Sequence, residues 1–179
     1  MTTELISVSG HTLTTASLDM ALYRLRYAAE HGTRLDRRRA IQGLKETLES
    51  MPQVDQPLEH CFADGLYGRK RINPAGTLLV TLIHKQENIS ILAKGRMQIY
   101  TEDRMLTLDA DQDGPMMFQT KPGTERVIFA QTECVFFTVN PNKDNTQDLD
   151  VLESRIIAKS FDEISFMVDS NTEVLSCLG

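Results

Sequence analysis

Residues 73–96, which read NPAGTLLVTLIHKQENISILAKGR, decide the fold prediction for this chain. A proline–glycine turn opens the stretch, and a second glycine, Gly95, lies near its end. Between the two, the apolar and β-branched residues of 77–84 are typical of a β-strand. Gly76 belongs to the turn signal of residues 73–76, because turns accept glycine readily.

Short strand-like runs continue outward from this stretch to residue 140. They cover residues 96–100, 105–108, 116–119, 127–130 and 134–139. Turn signals at 111–115 and 122–123 separate them. Several short strands at close, regular spacing are typical of a β-sandwich or barrel, so we predict a mainly β domain.

Two amphipathic helices are predicted ahead of the strands. Ser17 is the expected N-cap of the first and Gly32 the residue after its end, whereas the second is expected from about Asp36 to Pro52. Their apolar residues recur at three-to-four spacing: Leu18, Ala21, Leu22, Leu25, Ala28 and Ala29, then Ala40, Ile41, Leu44, Leu48 and Met51. Each helix should bury one stripe, against a barrel edge or in an oligomer contact.

A C-terminal helix is predicted after residues 140–142. Thr146 is its expected cap, and its expected buried face consists of Leu149, Leu152, Ile156 and Ile157. Residues 161–168 could form a last strand or another helical turn. The predicted organisation is a helical arm over residues 1–56, a β domain over 57–142 and a helical end over 143–179.

The central stretch also carries a spaced set of residues that points to a family. Five residues separate Gly76 from Leu82-Ile83-His84, and Asn88 and Gly95 follow at further intervals of three and six residues. This spacing resembles the first motif of the cupin superfamily, in which two histidines and a glutamate occupy the positions of Leu82, His84 and Asn88. The resemblance implies a double-stranded β-barrel, or jelly roll, with the N-terminal helical hairpin and the C-terminal helix as additions.

A looser match to the second cupin motif places Arg126 where the family has its third histidine. Together the two matches cover about residues 57–142. The segments 73–77, 83–85 and 121–124 resemble small cupin-domain proteins of tailed bacteriophages. That resemblance implies a phage-encoded protein, located in the cytoplasm of the host cell or in the virion.

Most ligands of the cupin metal site are replaced. The four ligand positions hold Leu82, His84, Asn88 and Arg126. Only His84 is a good ligand for a transition metal, and Arg126 would repel a divalent ion. We predict no metal, cofactor or catalytic residue here. A divalent ion at His84 would need substitute ligands from His60, Gln86 or Glu87.

Two interpretations of the remaining polar residues stay open. In one, a ligand-binding pocket is formed by His84, Gln86, Asn88, Arg126 and His60, and Arg126 binds a carboxylate or phosphate. In the other, the barrel mouth is closed, Arg126 pairs with Glu87 or Glu125, and His84 is a hydrogen-bonded interior histidine.

Charge and composition limit the partners. The formal net charge is −6, and residues 101–179 contain six lysines and arginines against fifteen aspartates and glutamates, so broad nucleic-acid binding is disfavoured. The basic cluster of Arg34, Arg37, Arg38 and Arg39 could contact nucleic acid or an acidic partner, or simply form a solvated face. No apolar run reaches the length of a membrane span, and an odd number of cysteines suits a reducing compartment.

Three functions are compatible with this sequence. The leading hypothesis is a non-catalytic cupin that acts in assembly or interaction, as a homo-oligomer or with phage or host proteins. The second is a protein that binds a small anionic ligand in the emptied pocket. The third is a metal-dependent enzyme, such as an isomerase or dioxygenase, with non-standard ligands.

Overall fold

The computed structural model describes residues 5–9 and 16–164. The helices are α1 (Ala16–His31), α2 (Arg34–Glu49), the short α3 (Ala110–Asp113) and α4 (Leu149–Ile156). The strands are β1 (Leu5–Ser9), β2 (Leu58–Ala63), β3 (Gly65–Asn73), β4 (Thr77–Thr81), β5 (Ile83–His84), β6 (Asn88–Lys94), β7 (Arg96–Tyr100), β8 (Met105–Asp109), β9 (Met116–Thr120), β10 (Val127–Ala130), β11 (Cys134–Asn142) and β12 (Ile157–Ala158). Residues 161–164 are helical, and the rest of the predicted element at 161–168 lies outside the described residues.

The strand order is that of a jelly roll. One antiparallel sheet runs β1-β4-β10-β7-β8 and the other runs β2-β3-β11-β6-β9. If β1, β2 and the short β5 are left out, the eight remaining strands up to β11 form four nested antiparallel pairs. These are β3 with β11, β4 with β10, β6 with β9, and β7 with β8. The predicted mainly β jelly roll with flanking helices is therefore confirmed.

The two sheets face each other across one apolar core. Its buried members come from both sheets and include Leu79, Leu92, Met97, Ile99, Ile128, Ala130, Cys134 and Phe136. Along β11, buried residues alternate with half-buried or exposed ones, as expected for a strand with one face in a core. The inner faces of the strands therefore define the interior where functional side chains can meet.

The helical hairpin covers the outer face of one sheet. Leu44 and Leu48 of α2 are completely buried, and they belong to one cluster with Val80 and Val127 of the sheet. The hydroxyl of Tyr100 donates a hydrogen bond to the carbonyl oxygen of Leu25, 3.1 Å away. The predicted apolar stripe of α2 is thus confirmed, and it packs on a sheet face of its own chain.

Three helix ends differ from the sequence prediction. Helix α1 begins at Ala16, which places Ser17 inside the helix. Thr33 caps α2, and Asp36, predicted as its start, instead completes a capping box by accepting a hydrogen bond from the Thr33 backbone. Asp148 caps α4 in place of Thr146. The caps of α2 and α4 are a threonine and an aspartate close to the predicted residues, so the sequence offers competing caps that propensity alone does not separate.

The predicted strand 77–84 is interrupted at Leu82. Strand β4 ends at Thr81, and β5 leaves the sheet to pair with β12. Leu82 itself is half-buried in the break. The break changes the direction of the chain just before His84, which positions that side chain for the site described next.

Candidate functional site

Three of the predicted site residues meet in the interior of the jelly roll. His84, Asn88 and Arg126 are each only 4% exposed. Backbone hydrogen bonds hold them together: the amide of Gly123 donates to the carbonyl oxygen of His84 over 2.8 Å, and the amide of Arg126 donates to Thr81 Oγ1 over 3.0 Å. The loop before β10 therefore fixes Arg126 beside the strand break that presents His84.

A chain of side-chain hydrogen bonds links these residues. Arg126 donates to Thr120 Oγ1, whose hydroxyl lies 2.7 Å from that of Ser90. Ser90 donates to Asn88 Oδ1 over 3.2 Å, and Asn88 Nδ2 lies 3.1 Å from His84 Nδ1. We call these five residues the interior cluster.

The interior cluster has a defined direction of proton donation. The single hydroxyl hydrogen of Ser90 is given to Asn88, so Thr120 must be the donor to Ser90. The Asn88 amide group donates to His84 Nδ1, which then has no hydrogen. The neutral imidazole therefore carries its proton on Nε2, and this N–H is available as a hydrogen-bond donor.

Burial and neighbouring cations keep His84 neutral. Burial, followed by the positive charges of Arg126, Arg69 and Arg71, lowers the pKa of His84 to about 3. Protonation would place a second positive charge in a region of low dielectric constant beside an existing one. At neutral pH, His84 thus contributes a hydrogen-bond donor without charge.

Arg126 remains the charged member of the interior cluster. Burial lowers the pKa of Arg126 to about 10, which still leaves the guanidinium protonated at neutral pH. Its carbon Cζ lies 5.5 Å from the centre of the Phe118 ring. Within residues 5–9 and 16–164, Arg126 forms no ion pair with a carboxylate, so its charge is balanced there only by hydrogen bonding and the aromatic face.

The glutamates predicted to pair with Arg126 do not do so. Glu87 is exposed. Glu125 is buried, but it turns toward α2, where it accepts a hydrogen bond from Gln42 and lies 3.8 Å from Lys45. Adjacent residues of an extended chain face opposite sides, which explains why Glu125 and Arg126 point apart.

Sequence reasoning missed two polar residues on the inner face of β11. Thr138 is paired with Ser90 across the sheet, and Asn140 lies two residues further along the same face. Thr138 Oγ1 and both amide atoms of Asn140 are buried without a hydrogen-bond partner among the described residues. A sequence signal could have revealed them: Thr138 and Asn140 follow the apolar Phe136 at alternate positions, which places all three on one face of the strand.

The other two predicted pocket residues lie apart from the interior cluster. His60 is an exposed residue of β2, and its Nδ1 atom is 2.8 Å from the hydroxyl of Tyr67. Gln86 is half-buried in a bend, because β5 ends at His84. The assumption that Gln86 continues the strand of His84 is therefore wrong, and neither residue makes a described hydrogen bond to the interior cluster.

The C-terminal segment lies over this end of the jelly roll. Ile157 of β12 pairs with His84, and Leu152 and Ile156 of α4 pack against Tyr67. Lys85 forms an ion pair of 3.0 Å with Glu163. The low exposure of His84 is thus a product of this cover as well as of the sheets.

The side chains gathered here suit an anion better than a divalent metal. Within the described ranges, no three residues of the histidine, cysteine, aspartate and glutamate types lie close enough to hold a metal ion. The side chains of Leu82 and Asn88 are not those that transition metals favour, and the guanidinium of Arg126 would repel a cation. The same part of the chain contains no helix of the length and apolarity that a membrane span requires.

Comparisons with known proteins give a likeness of fold. No protein-family model and no curated protein matches the chain. A cupin-2 domain protein from Shewanella frigidimarina is 15% identical, with 54% of this chain and 90% of that chain covered and a TM-score of 0.39. An RmlC-like cupin from Methanocaldococcus jannaschii is 15% identical, with 50% and 82% covered and a TM-score of 0.41.

An enzyme is among the similar structures as well. Acetylacetone dioxygenase from Acinetobacter johnsonii is 15% identical, with 54% of this chain and 72% of that chain covered and a TM-score of 0.39. These values carry no conclusion about the ligand or activity of the present chain. The resemblance to phage proteins stays a prediction.

Proposed function

We propose that this chain is a binding protein whose jelly-roll interior takes a small anionic ligand, such as a carboxylate or a phosphate ester. The observation that carries the proposal is Arg126, a guanidinium that is 4% exposed and has no carboxylate partner among the described residues. Burying an uncompensated charge costs several kcal/mol, by order of magnitude. A bound anion would offset that cost.

The surroundings of Arg126 support the same ligand class. The Nε2–H group of His84 is a neutral donor, and the amide of Asn140 has a donor and an acceptor without partners in the described part of the chain. Thr138 adds a hydroxyl without a partner among the described residues. Polar atoms that are buried and unpaired in a protein require an explanation, and a ligand with several oxygens would pair with them.

The test is a thermal-shift and calorimetry screen with inorganic phosphate, sugar phosphates and dicarboxylates. A ligand at one hundred times its dissociation constant stabilises the native state by about 2.7 kcal/mol. We expect at least one of these anions to raise the melting temperature of the wild type and to leave Arg126→Met unchanged. Arg104→Met is the matched control, because Arg104 is exposed and the substitution removes the same charge.

The stability of Arg126→Met without ligand provides a second criterion. Methionine fills a similar volume and has no charge to desolvate, so the variant should be as stable as the wild type or more stable. A loss of more than about 2 kcal/mol would assign Arg126 a structural role. That result, or a screen in which no anion acts on the wild type, contradicts the proposal.

The assembly role predicted from the sequence, in a homo-oligomer or with phage or host proteins, stays a prediction. The anion-binding proposal is preferred because the interior cluster provides specific side chains for it. Native mass spectrometry of the full chain would give the oligomeric number directly. A metal-dependent reaction would require ligands other than those that meet at His84.

A further inference from the structure

A cavity opens between the two helices of the hairpin, away from the interior cluster. Its volume is about 290 Å³, and α1 and α2 both line it. Two exposed arginines, Arg24 and Arg39, contribute the charged part of the lining. Met20, Ala21 and Ala40 contribute the apolar part.

The two arginines differ from their neighbours on α2. Arg34 and Arg38 both bind the carboxylate of Glu102. Arg24 and Arg39 form no ion pair with a carboxylate in the part of the chain that the structure describes, although the cavity brings both to one place. Because both arginines line the cavity, a single anion bound in it would lie near two positive charges.

Gly43 keeps the cavity open. It lies in the interior of α2, where glycine is less favourable than alanine for the helix. A Cβ atom at this position would meet nothing within 4 Å, so close packing does not require the glycine. The missing side chain instead leaves the wall of the cavity free, which is the independent reason to regard the cavity as a site.

We propose that this cavity binds a small amphiphilic carboxylate. Arg24 and Arg39 would bind the carboxylate group, and a short alkyl chain would pack on Met20 and the two alanines. A volume of about 290 Å³ is at the lower end of ligand pockets, which favours a short chain over a long lipid. This site is independent of the anion proposed for the interior.

The test uses hexanoate as the probe, with acetate and 1-hexanol as its anion-only and chain-only counterparts. Binding is measured by calorimetry and by NMR shifts of the Ala21 and Ala40 methyl groups. We expect saturable one-to-one binding of hexanoate, and affinities at least tenfold weaker for acetate and hexanol. Arg126→Met should bind hexanoate like the wild type, which separates this site from the interior.

Two variants decide the proposal. Gly43→Leu fills the cavity and should raise the melting temperature, because leucine is a good helix former, while it weakens hexanoate binding at least tenfold. The double substitution Arg24→Gln with Arg39→Gln should weaken binding similarly, whereas Arg26→Gln on the same helix should not. Unchanged affinity in Gly43→Leu, or no saturable binding by the wild type, overturns the proposal.

Discussion

His84 and Arg126 respond differently to the same burial. Burial favours the neutral form of both side chains, and it lowers the pKa of His84 to about 3 and that of Arg126 to about 10. Between these values the histidine is neutral and the arginine is charged. The interior cluster therefore keeps one positive charge over the whole range in which the protein would normally work. An anion that does not titrate in this range should bind with an affinity independent of pH.

The low pKa of His84 predicts a specific pH dependence of stability. The unfolded chain takes up this proton near pH 6.5, whereas the native protein does so only near pH 3. The free energy of unfolding should therefore decrease by up to about 1.4 kcal/mol per pH unit as the pH falls from 6.5 toward 3. Above pH 6.5, His84 should cause no change in it. His84→Gln keeps an acceptor for Asn88 and should lack this component in urea unfolding at a series of pH values.

A matched histidine isolates the effect. His31 is exposed at the end of α1, so His31→Gln should follow the wild-type curve. Parallel curves for the wild type and His84→Gln, or an NMR titration of His84 near pH 6.5, would show that the imidazole is accessible to protons.

At the scale of single elements, the turn from β6 to β7 depends on Gly95. Its φ angle is 91°, and an added Cβ would lie 2.2 Å from the carbonyl oxygen of Glu133. Gly114 has a similar φ angle of 80°, but its Cβ would meet nothing within 4 Å. Comparing substitutions at Gly95 and Gly114 therefore separates the cost of backbone strain, which both share, from the cost of steric overlap, which only Gly95 has.

Gly95→Ala should therefore be far more destabilising than Gly114→Ala. Backbone strain alone costs about 1–3 kcal/mol at a positive φ angle, and the overlap at Gly95 should add at least about 3 kcal/mol. Denaturant unfolding of both variants measures the difference, and a Gly95→Ala chain that does not fold beside a folded Gly114→Ala chain counts as agreement. Equal losses would mean that the β10–β11 connection moves aside.

The attachment of the helical hairpin depends on Glu102. Its side chain is 11% exposed and accepts hydrogen bonds from Arg34 and Arg38, while its backbone oxygen accepts one from Arg37. Three arginines of the basic cluster predicted from the sequence thus bind the β7–β8 turn. These contacts fix the end of the hairpin on the jelly roll.

Glu102→Gln should lower the free energy of unfolding by about 1–3 kcal/mol, because it removes the largely buried charge that the guanidinium groups of Arg34 and Arg38 share. Asp103→Asn is the control: its side chain is 66% exposed and lies 3.2 Å from Arg34, so its loss should cost no more than about 0.5 kcal/mol. Chemical denaturation of both proteins gives the comparison. Equal losses of stability in the two variants would mean that Glu102 holds the hairpin no more strongly than the solvent-exposed pair of Asp103 and Arg34 does.

At the scale of the whole molecule, the hairpin and the jelly roll share one apolar cluster. Leu44 is completely buried in it together with Val80 and Val127. The boundary predicted at residue 56 therefore separates chain segments that pack into a common core. Two segments with a common core are expected to unfold together.

Leu44→Ala tests this cooperativity. The cavity should cost about 2–5 kcal/mol, and the loss should affect strands as well as helices. Far-UV circular dichroism follows the helices, and amide hydrogen exchange of β11 follows the second sheet. A loss of protection confined to residues 16–49, with β11 unchanged, would show that the hairpin is an independent unit.

Local sequence patterns determined the elements of this protein. Turn residues and alternating apolar positions identified the strands at 96–100 and 127–130 with their observed bounds, and helical spacing identified the buried face of α2. The jelly roll was implied by the resemblance of the spacing between Gly76 and Gly95 to a family motif, whereas the turn signals and short strands alone predicted a sandwich or barrel. Strand β2 left no such signal, since four of its six residues are exposed and its apolar residues do not alternate with polar ones.

The tertiary structure alone decided the site. The end of β5 at His84 and the bend after it removed Gln86 from the predicted pocket, and the exposed position of His60 on β2 removed that residue as well. Thr138 and Asn140 entered the interior through the pairing of β11 with β6, which is a contact between residues almost fifty positions apart. Sequence periodicity reports which face a residue occupies on its own strand. Which residues face one another across the interior depends on long-range pairing, and no local pattern encodes that.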